Sequence, residues 1–171
     1  LSHDYAELGL RCIIVAPEDM DPLRVENMRA FGAEIIMAPA AGAAEKACAI
    51  RDSTLECFMP MQFENDDNCE AHRRGAGIEI VEALGQVDFL VAGVGSDGSL
   101  TSCGEVIKAH CPDCRIVAVD PVDSPVISGG FPGGHSILGI GAEFIPPILN
   151  EYILDEVMRT RTPNSFLMAA N

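Results

Sequence analysis

Val87-Asp88-Phe89-Leu90-Val91-Ala92-Gly93-Val94-Gly95-Ser96-Asp97-Gly98-Ser99-Leu100 is the stretch whose reading decides the fold. Val87 to Val94 is almost continuously apolar and rich in valine, the pattern of a strand covered on both faces. The Gly-Ser-Asp-Gly-Ser turn follows, and Leu100 to His110 then reads as a helix. A buried strand that runs through a tight glycine turn into a helix is half of a parallel crossover. It predicts a parallel α/β sheet.

The alternation extends in both directions. Arg11 to Ala16 reads as a buried strand ending at Pro17. Asp21-Pro22 opens a helix, with Asp21 as cap and Pro22 at the first position, where a missing N–H does no harm. Leu23, Met28 and Phe31 give that helix an apolar side, and Gly32 ends it. Glu34 to Ala38 reads as a strand, Gly42 to Leu55 as a helix and Cys57 to Met61 as a short strand. Asn65 to Asn68 is a polar turn feeding one helix through about Leu84. After the glycine turn and its helix, Arg115 to Val119 is a strand. Ser128 to Gly134 is too rich in glycine and proline for a regular element. Glu156 to Arg159 reads as a strand and Asn164 to Ala170 as the start of a helix. Two halves are expected, roughly residues 1–60 and 61–171.

Composition narrows the function classes. The 171 residues are 48% hydrophobic, enough for a sizeable core, and carry a net charge of −15. That charge argues against nucleic acid and against an anionic membrane surface as partners. No apolar run reaches the length of a membrane span, about 18 residues. No signal peptide pattern opens the chain. It starts at Leu1 in what reads as the tail of a helix and stops at Ala169-Ala170-Asn171 inside another, so residues are expected on both sides. Seven cysteines at irregular spacing make a poor disulfide framework and point to a reducing compartment. Cys12, Cys48 and Cys57 lie in apolar surroundings and are expected to be buried thiols.

The turn Gly95-Ser96-Asp97-Gly98-Ser99 is the leading candidate site. Free N–H groups and the positive end of the helix converge there, and Ser96 and Ser99 add hydroxyls, an arrangement suited to a phosphate. The other reading is an ordinary strand-to-helix turn, since the Walker spacing and its lysine are absent. Asp97 is discordant. A carboxylate about 4 Å from a phosphate repels it by about 1 kcal/mol in water and several in a partly buried site. Asp97 can still occupy a left-handed backbone position, or face solvent. Cys111-Pro112-Asp113-Cys114 follows a helix instead of preceding one, so it reads as structural and not as a redox or zinc element. His72-Arg73-Arg74 reads as a solvated helix face. No histidine has metal-ligand spacing, and no metal is expected. Gln62-Phe63 could meet a ligand or form a plain turn.

Taken in order, these segments resemble the cysteine synthases. Met61-Gln62-Phe63-Glu64-Asn65, with Asn68, His72 and Gly77-Ile78-Glu79-Ile80, is similar to the family stretch QFxNPANPxxHxxTTGPEI. The run Val87 to Gly95 leads into the position of the family's GTGGT loop. Ile116 to Pro121 is similar to VxxVEP. Ser128-Gly129-Gly130, Pro132-Gly133, His135, Gly139-Ile140-Gly141-Ala142 and Phe144-Ile145-Pro146 resemble SGGxPGPHxxxGIGAGFIP. The departures are Asp97 for a loop glycine, Asp66 and Cys69 for prolines, Asp67 for alanine, Arg74-Gly75-Ala76 for a Thr-containing stretch, and Glu143 for glycine.

The resemblance implies the three-layer, parallel-sheet α/β fold of the tryptophan synthase β-like, type II enzymes that depend on pyridoxal 5′-phosphate (PLP). Residues 1–60 would belong to the small N-terminal domain and residues 61–171 to the large PLP-binding domain. It implies replacement of the acetate of O-acetylserine by sulfide to give cysteine. Gly95, Ser96, Asp97, Gly98 and Ser99 would hold the cofactor phosphate, Gln62 the substrate carboxylate with Phe63 beside it, and Gly139 the loop lining the cofactor pocket. The lysine that carries the cofactor is expected before Leu1, leaving the chain alone inactive. A homodimer, a cytoplasmic location and binding of the C-terminal tail of serine acetyltransferase are implied as well. Two alternatives stand beside this: a degenerate, non-catalytic relative acting as a binding or regulatory protein, and a PLP lyase acting on serine or threonine.

Overall fold

The computed structural model describes residues 2–39 and 42–169. The chain divides into two compact units, Leu1–Met59 and Pro60–Asn171.

In the first unit, helix α1 (Ser2–Glu7) precedes strand β1 (Ile13–Pro17), helix α2 (Pro22–Ala30), strand β2 (Glu34–Ala38) and helix α3 (Ala43–Ser53). Strands β1 and β2 pair in parallel, with Ile13 opposite Glu34 and Pro17 opposite Ala38. Parallel pairing requires the crossover that α2 supplies. That helix starts where the sequence indicates, because Asp21 Oδ1 accepts the Leu23 N–H at 2.9 Å and Pro22 follows. Its buried residue is Val25, while Leu23 and Phe31 are exposed, so the apolar side anticipated from Leu23, Met28 and Phe31 is not the packed one. The Cys57 to Met61 strand does not form. Pro60 offers no N–H to a ladder, and Glu56 and Met61 both take positive φ, which breaks the extended course. The thiol expectation also fails: Cys57 is exposed, Cys12 and Cys48 are half-buried, and the buried cysteines are Cys69, Cys103, Cys111 and Cys114.

The second unit contains helices α4 (Asp66–Arg74) and α5 (Ala76–Leu84), strand β3 (Phe89–Gly93), helix α6 (Gly98–His110), strand β4 (Arg115–Pro121), strand β5 (Glu156–Thr160) and helix α7 (Thr162–Ala169). Asn65 caps α4 by accepting the Asp67 N–H at 3.0 Å. The single helix expected through Leu84 is two, interrupted at Gly75 with φ −102° and ψ −105°. The three strands form a parallel sheet in the order β3-β4-β5. Helices α4 and α5 pack against α6.

The core consists of Val87, Val94, Leu100, Cys103, Ile107, Cys111, Cys114, Ile116 and Ala118. Leu90 and Ala92 of β3 pack onto it, but Phe89 and Val91 on the opposite side are more than half exposed. The strand expected to be buried on both faces is therefore covered on one within this unit. Cys111 and Cys114 belong to the core, and burial pushes the Cys114 thiol up, opposite to what a reactive thiol requires. Among the described residues no helix is long and apolar enough to cross a membrane.

Ile116, the second residue of β4, is fully buried. Ile116→Ala should destabilise the protein by about 2–5 kcal/mol, seen as a lower midpoint in urea unfolding with an unchanged slope.

Candidate functional site

Three sequence-distant segments meet at the carboxyl end of β3. The first is the turn Gly95 to Ser99. Asp97 is its left-handed residue, with φ 75° and ψ 0°, and it occupies the N-cap of α6 without capping it through its side chain. Thr101 N–H bonds Asp97 O as the first rung of the helix. The N–H groups of Gly98, Ser99 and Leu100 consequently have no partner within the helix, and they sit at its positive end.

The second segment is Gln62-Phe63. Asn68, on the first turn of α4, holds it against the glycine turn. Its Nδ2 donates to Gln62 O at 2.9 Å and to Ser96 Oγ at 3.1 Å. Because Ser96 Oγ accepts there, its own proton stays available for a ligand. A Cβ at Gly98 would overlap the Asn68 carboxamide, so only glycine allows this approach. The Gln62 side chain is exposed, and Phe63 packs edge-on against Phe144 with ring centroids 5.0 Å apart.

The third segment is the loop at Gly139. Gly141 N–H donates to Val94 O at 2.9 Å, and a Cβ at Gly95 would strike Gly139 O. Gly139 itself has φ 86°, a conformation suited to glycine. Further back, Asp120 Oδ2 accepts both the Ser128 N–H and the Ser128 hydroxyl at 3.2 Å, tying the Gly-rich loop to the end of β4.

The structure thus gathers Gln62, Phe63, Gly95, Ser96, Asp97, Gly98, Ser99 and Gly139 in one place. It adds residues that the sequence did not single out as site members. Asn68 is the tie between two segments. His72 is not simply part of a solvated face: its Nε2 lies 3.2 Å from Ser99 Oγ. Arg73 pairs with Glu105 at 2.8 Å. Thr101 lies four residues after Asp97 on one helix face, a spacing the sequence does reveal. Asn150, whose N–H donates to Thr101 Oγ1 at 2.9 Å, carries no such signal.

Asp97 does not face solvent. It is 4% exposed. Thr101 Oγ1 donates to its Oδ2. Burial raises its carboxyl from 3.8 to about 6, partly opposed by the Thr101 hydrogen bond and reinforced by the charge of Glu105. The donors around the turn fit a tetrahedral oxyanion, and Asp97 in its ionised form is the one group that does not.

A family model described as pyridoxal-phosphate dependent enzyme matches residues 5–161. The chain belongs to the pyridoxal-phosphate dependent enzyme family. Among curated family relatives, a cysteine synthase B from Campylobacter jejuni is 42% identical over 158 residues, covering 90% of this chain and 53% of the relative. A solved cysteine synthase from Entamoeba histolytica is 34% identical with a TM-score of 0.92, over 99% of this chain and 52% of that one. An O-acetylserine dependent cystathionine β-synthase from Helicobacter pylori is 33% identical with a TM-score of 0.91, over 98% of this chain and 56% of that one. The chain spans about half the length of the curated relatives it matches. Its fold is the parallel-sheet α/β fold of the type II PLP enzymes, and PLP is the cofactor of the family.

Two outcomes follow from this geometry. Gly98→Ala should cost about 1–3 kcal/mol through overlap with Asn68. Combining it with Asn68→Ala should destabilise by less than the sum of the two single changes in a double-mutant cycle. Because the folded carboxyl of Asp97 titrates higher than the unfolded one, the native state binds more protons between about pH 4 and 6. Stability relative to Asp97→Asn should therefore fall as pH rises through that window, by up to about 3 kcal/mol, and then level off. Urea unfolding of both proteins across pH 4 to 7 measures it.

Proposed function

We propose that this protein is a PLP-dependent cysteine synthase, replacing the acetate of O-acetylserine with sulfide to yield cysteine. The observation that carries this reading is the convergence of Gln62-Phe63, the uncapped α6 turn and Gly139 at one strand end, in a chain whose relatives include cysteine synthases. That is where open α/β sheets bind ligands.

In this reading the N–H groups of Gly98, Ser99 and Leu100, with the Ser96 and Ser99 hydroxyls, hold the cofactor phosphate. Gly95 and Gly98 allow the backbone to approach, and Asp97 sets the curvature of the turn. Gln62 binds the substrate carboxylate, Phe63 flanks it and Gly139 lines the pocket. When bound, PLP supplies the electron sink for the chemistry at the substrate's α-carbon. Lys108 is not placed for covalent attachment at the turn. It lies about 15 Å along α6 from Gly98 at 1.5 Å per residue, and it pairs with Asp155 at 2.8 Å. Lys46 belongs to the other unit and donates to Met37 O at 3.1 Å.

The same reading assigns residues 1–60 to the small domain and residues 61–171 to the large, PLP-binding domain. It extends to a homodimer in the cytoplasm that receives the tail of serine acetyltransferase. A second reading, a non-catalytic relative, is favoured by one observation: the buried carboxylate of Asp97 at the phosphate turn.

Titrating the protein with PLP and with pyridoxal, followed by absorbance, tests the phosphate role. PLP should bind at least about tenfold more tightly, since charge-assisted hydrogen bonds to the phosphate are lost with pyridoxal. Equal affinities sink the reading of the turn. Cysteine release from O-acetylserine and sulfide by the full-length protein in the presence of PLP tests the reaction, and PLP binding by that full-length protein without any release favours the non-catalytic reading.

A further inference from the structure

Reading the turn as a phosphate site leaves one atom without a role. Asp97 Oδ1 is buried and has no hydrogen-bond partner among the described residues. Its twin Oδ2 accepts from Thr101 Oγ1, whose own lone pair takes the Asn150 N–H at 2.9 Å. Asp97 is the N-cap of α6, so it directly precedes the free N–H groups of Gly98, Ser99 and Leu100, and its carboxyl is held by Thr101 in the next turn. An ionised carboxyl there would place a second negative charge beside that anion with one oxygen unsatisfied. A protonated carboxyl instead presents an O–H that needs an acceptor, and an oxyanion provides one. A carboxylic acid held neutral in an apolar site is a good hydrogen-bond donor.

We propose that Asp97 acts in the phosphate turn as a protonated donor, so that binding of a tetrahedral oxyanion is coupled to uptake of one proton from solvent onto Asp97. The inference rests on the reading of the turn as a phosphate site and deepens it. The only covalent change is a proton transfer: an O–H forms on Asp97 as the bond to that proton in hydronium or the buffer acid breaks. It also resolves the misfit: the loop tolerates aspartate because the acid binds as a neutral group. Burial already holds the free carboxyl at about 6, close to the pH where such coupling acts.

Other charged and titratable groups surround the turn. Glu105 on α6 adds negative charge and is itself held by Arg73 of α4 at 2.8 Å and by Asn150 Nδ2 at 2.9 Å. Glu70 of α4 lies 3.6 Å from Arg73. His72 of α4 lies against Ser99 Oγ at 3.2 Å, and His135 of the Gly-rich loop is 3.3 Å from Gly141 O. Of these, His72 is the residue in direct contact with the turn, and it therefore requires its own control.

Calorimetric titration of the protein with sulfate is the test, because sulfate stays a dianion across the pH range used. Affinity should rise about tenfold per pH unit on going from about pH 8 to 6 and level off below that. Buffers of different ionisation enthalpy should report one proton taken up per ion. Asp97→Asn and Asp97→Gly should bind sulfate with no proton uptake and a shallow pH profile. Thr101→Val removes the donor that favours the ionised carboxyl and should move the onset to higher pH. His72→Gln should keep the slope. A slope that survives Asp97→Asn, or vanishes in His72→Gln, overturns the coupling, as does sulfate binding without proton uptake, and all three leave the site standing. Absence of sulfate binding by the wild type and both Asp97 variants at every pH overturns the phosphate site and the coupling with it.

Discussion

The side-chain amide of Asn68 is the contact on which the rest of the site depends. One nitrogen joins the carbonyl of Gln62 to the hydroxyl of Ser96 and so fixes the spacing between two loops that the sheet alone does not connect. The contact exists only because Gly98 has no Cβ. Asn65, three residues earlier, sets the start of α4 and thereby the position of Asn68 on its first turn. Its own amide donates to Pro60 O at 3.0 Å, anchoring the chain entering the segment. Two asparagines and one glycine thus convert a helix start into a brace. Each role needs a short amide or no side chain at all, which leaves little freedom for substitution.

Asp97 shows how a local conflict is accommodated. The backbone of the turn needs a left-handed residue, and aspartate supplies it at a cost of roughly 1 kcal/mol relative to glycine. The side chain is then carried inward, where Thr101 and the Asn150 N–H form a short chain of hydrogen bonds behind it. The electrostatic penalty arises from burial and not from a neighbouring anion alone. Charge state, not shape, is what distinguishes this turn from one built with glycine.

Much of the fold was readable from sequence because its signals are local. Asp21-Pro22, the Glu34 to Ala38 run and the strand–turn–helix around Gly95 are decided by caps, alternation and glycine, and the structure follows them within a residue or two. Failures occurred where neighbours decide. Leu23 and Phe31 look like a packed face but are exposed, and Val25 is the buried residue of that helix. The apolar surroundings of Cys57 suggest burial, yet it is exposed, while Cys69, within a polar stretch, is a thiol that packs inward. Gly75 divides a helix that periodicity alone runs together. The glycine turn and Gln62-Phe63 were visible as candidates, but the inward path of Asp97 was not. That path depends on Asn150, far along the chain.

The contact between Gly139 and Gly95 bears on the order in which the turn acquires its final surroundings. The turn and Asn68 are joined by contacts of moderate sequence separation, whereas Gly139 must return across a long segment without regular structure before it can press on Gly95. Closing such a segment is entropically slow to be rewarded, so it belongs to the late steps of folding. Its anchors, the Gly141 to Val94 bond and the Ser128 bonds to Asp120, are few compared with those of the sheet. Local opening of this segment can therefore uncover the turn while the strands remain paired, without unfolding the core.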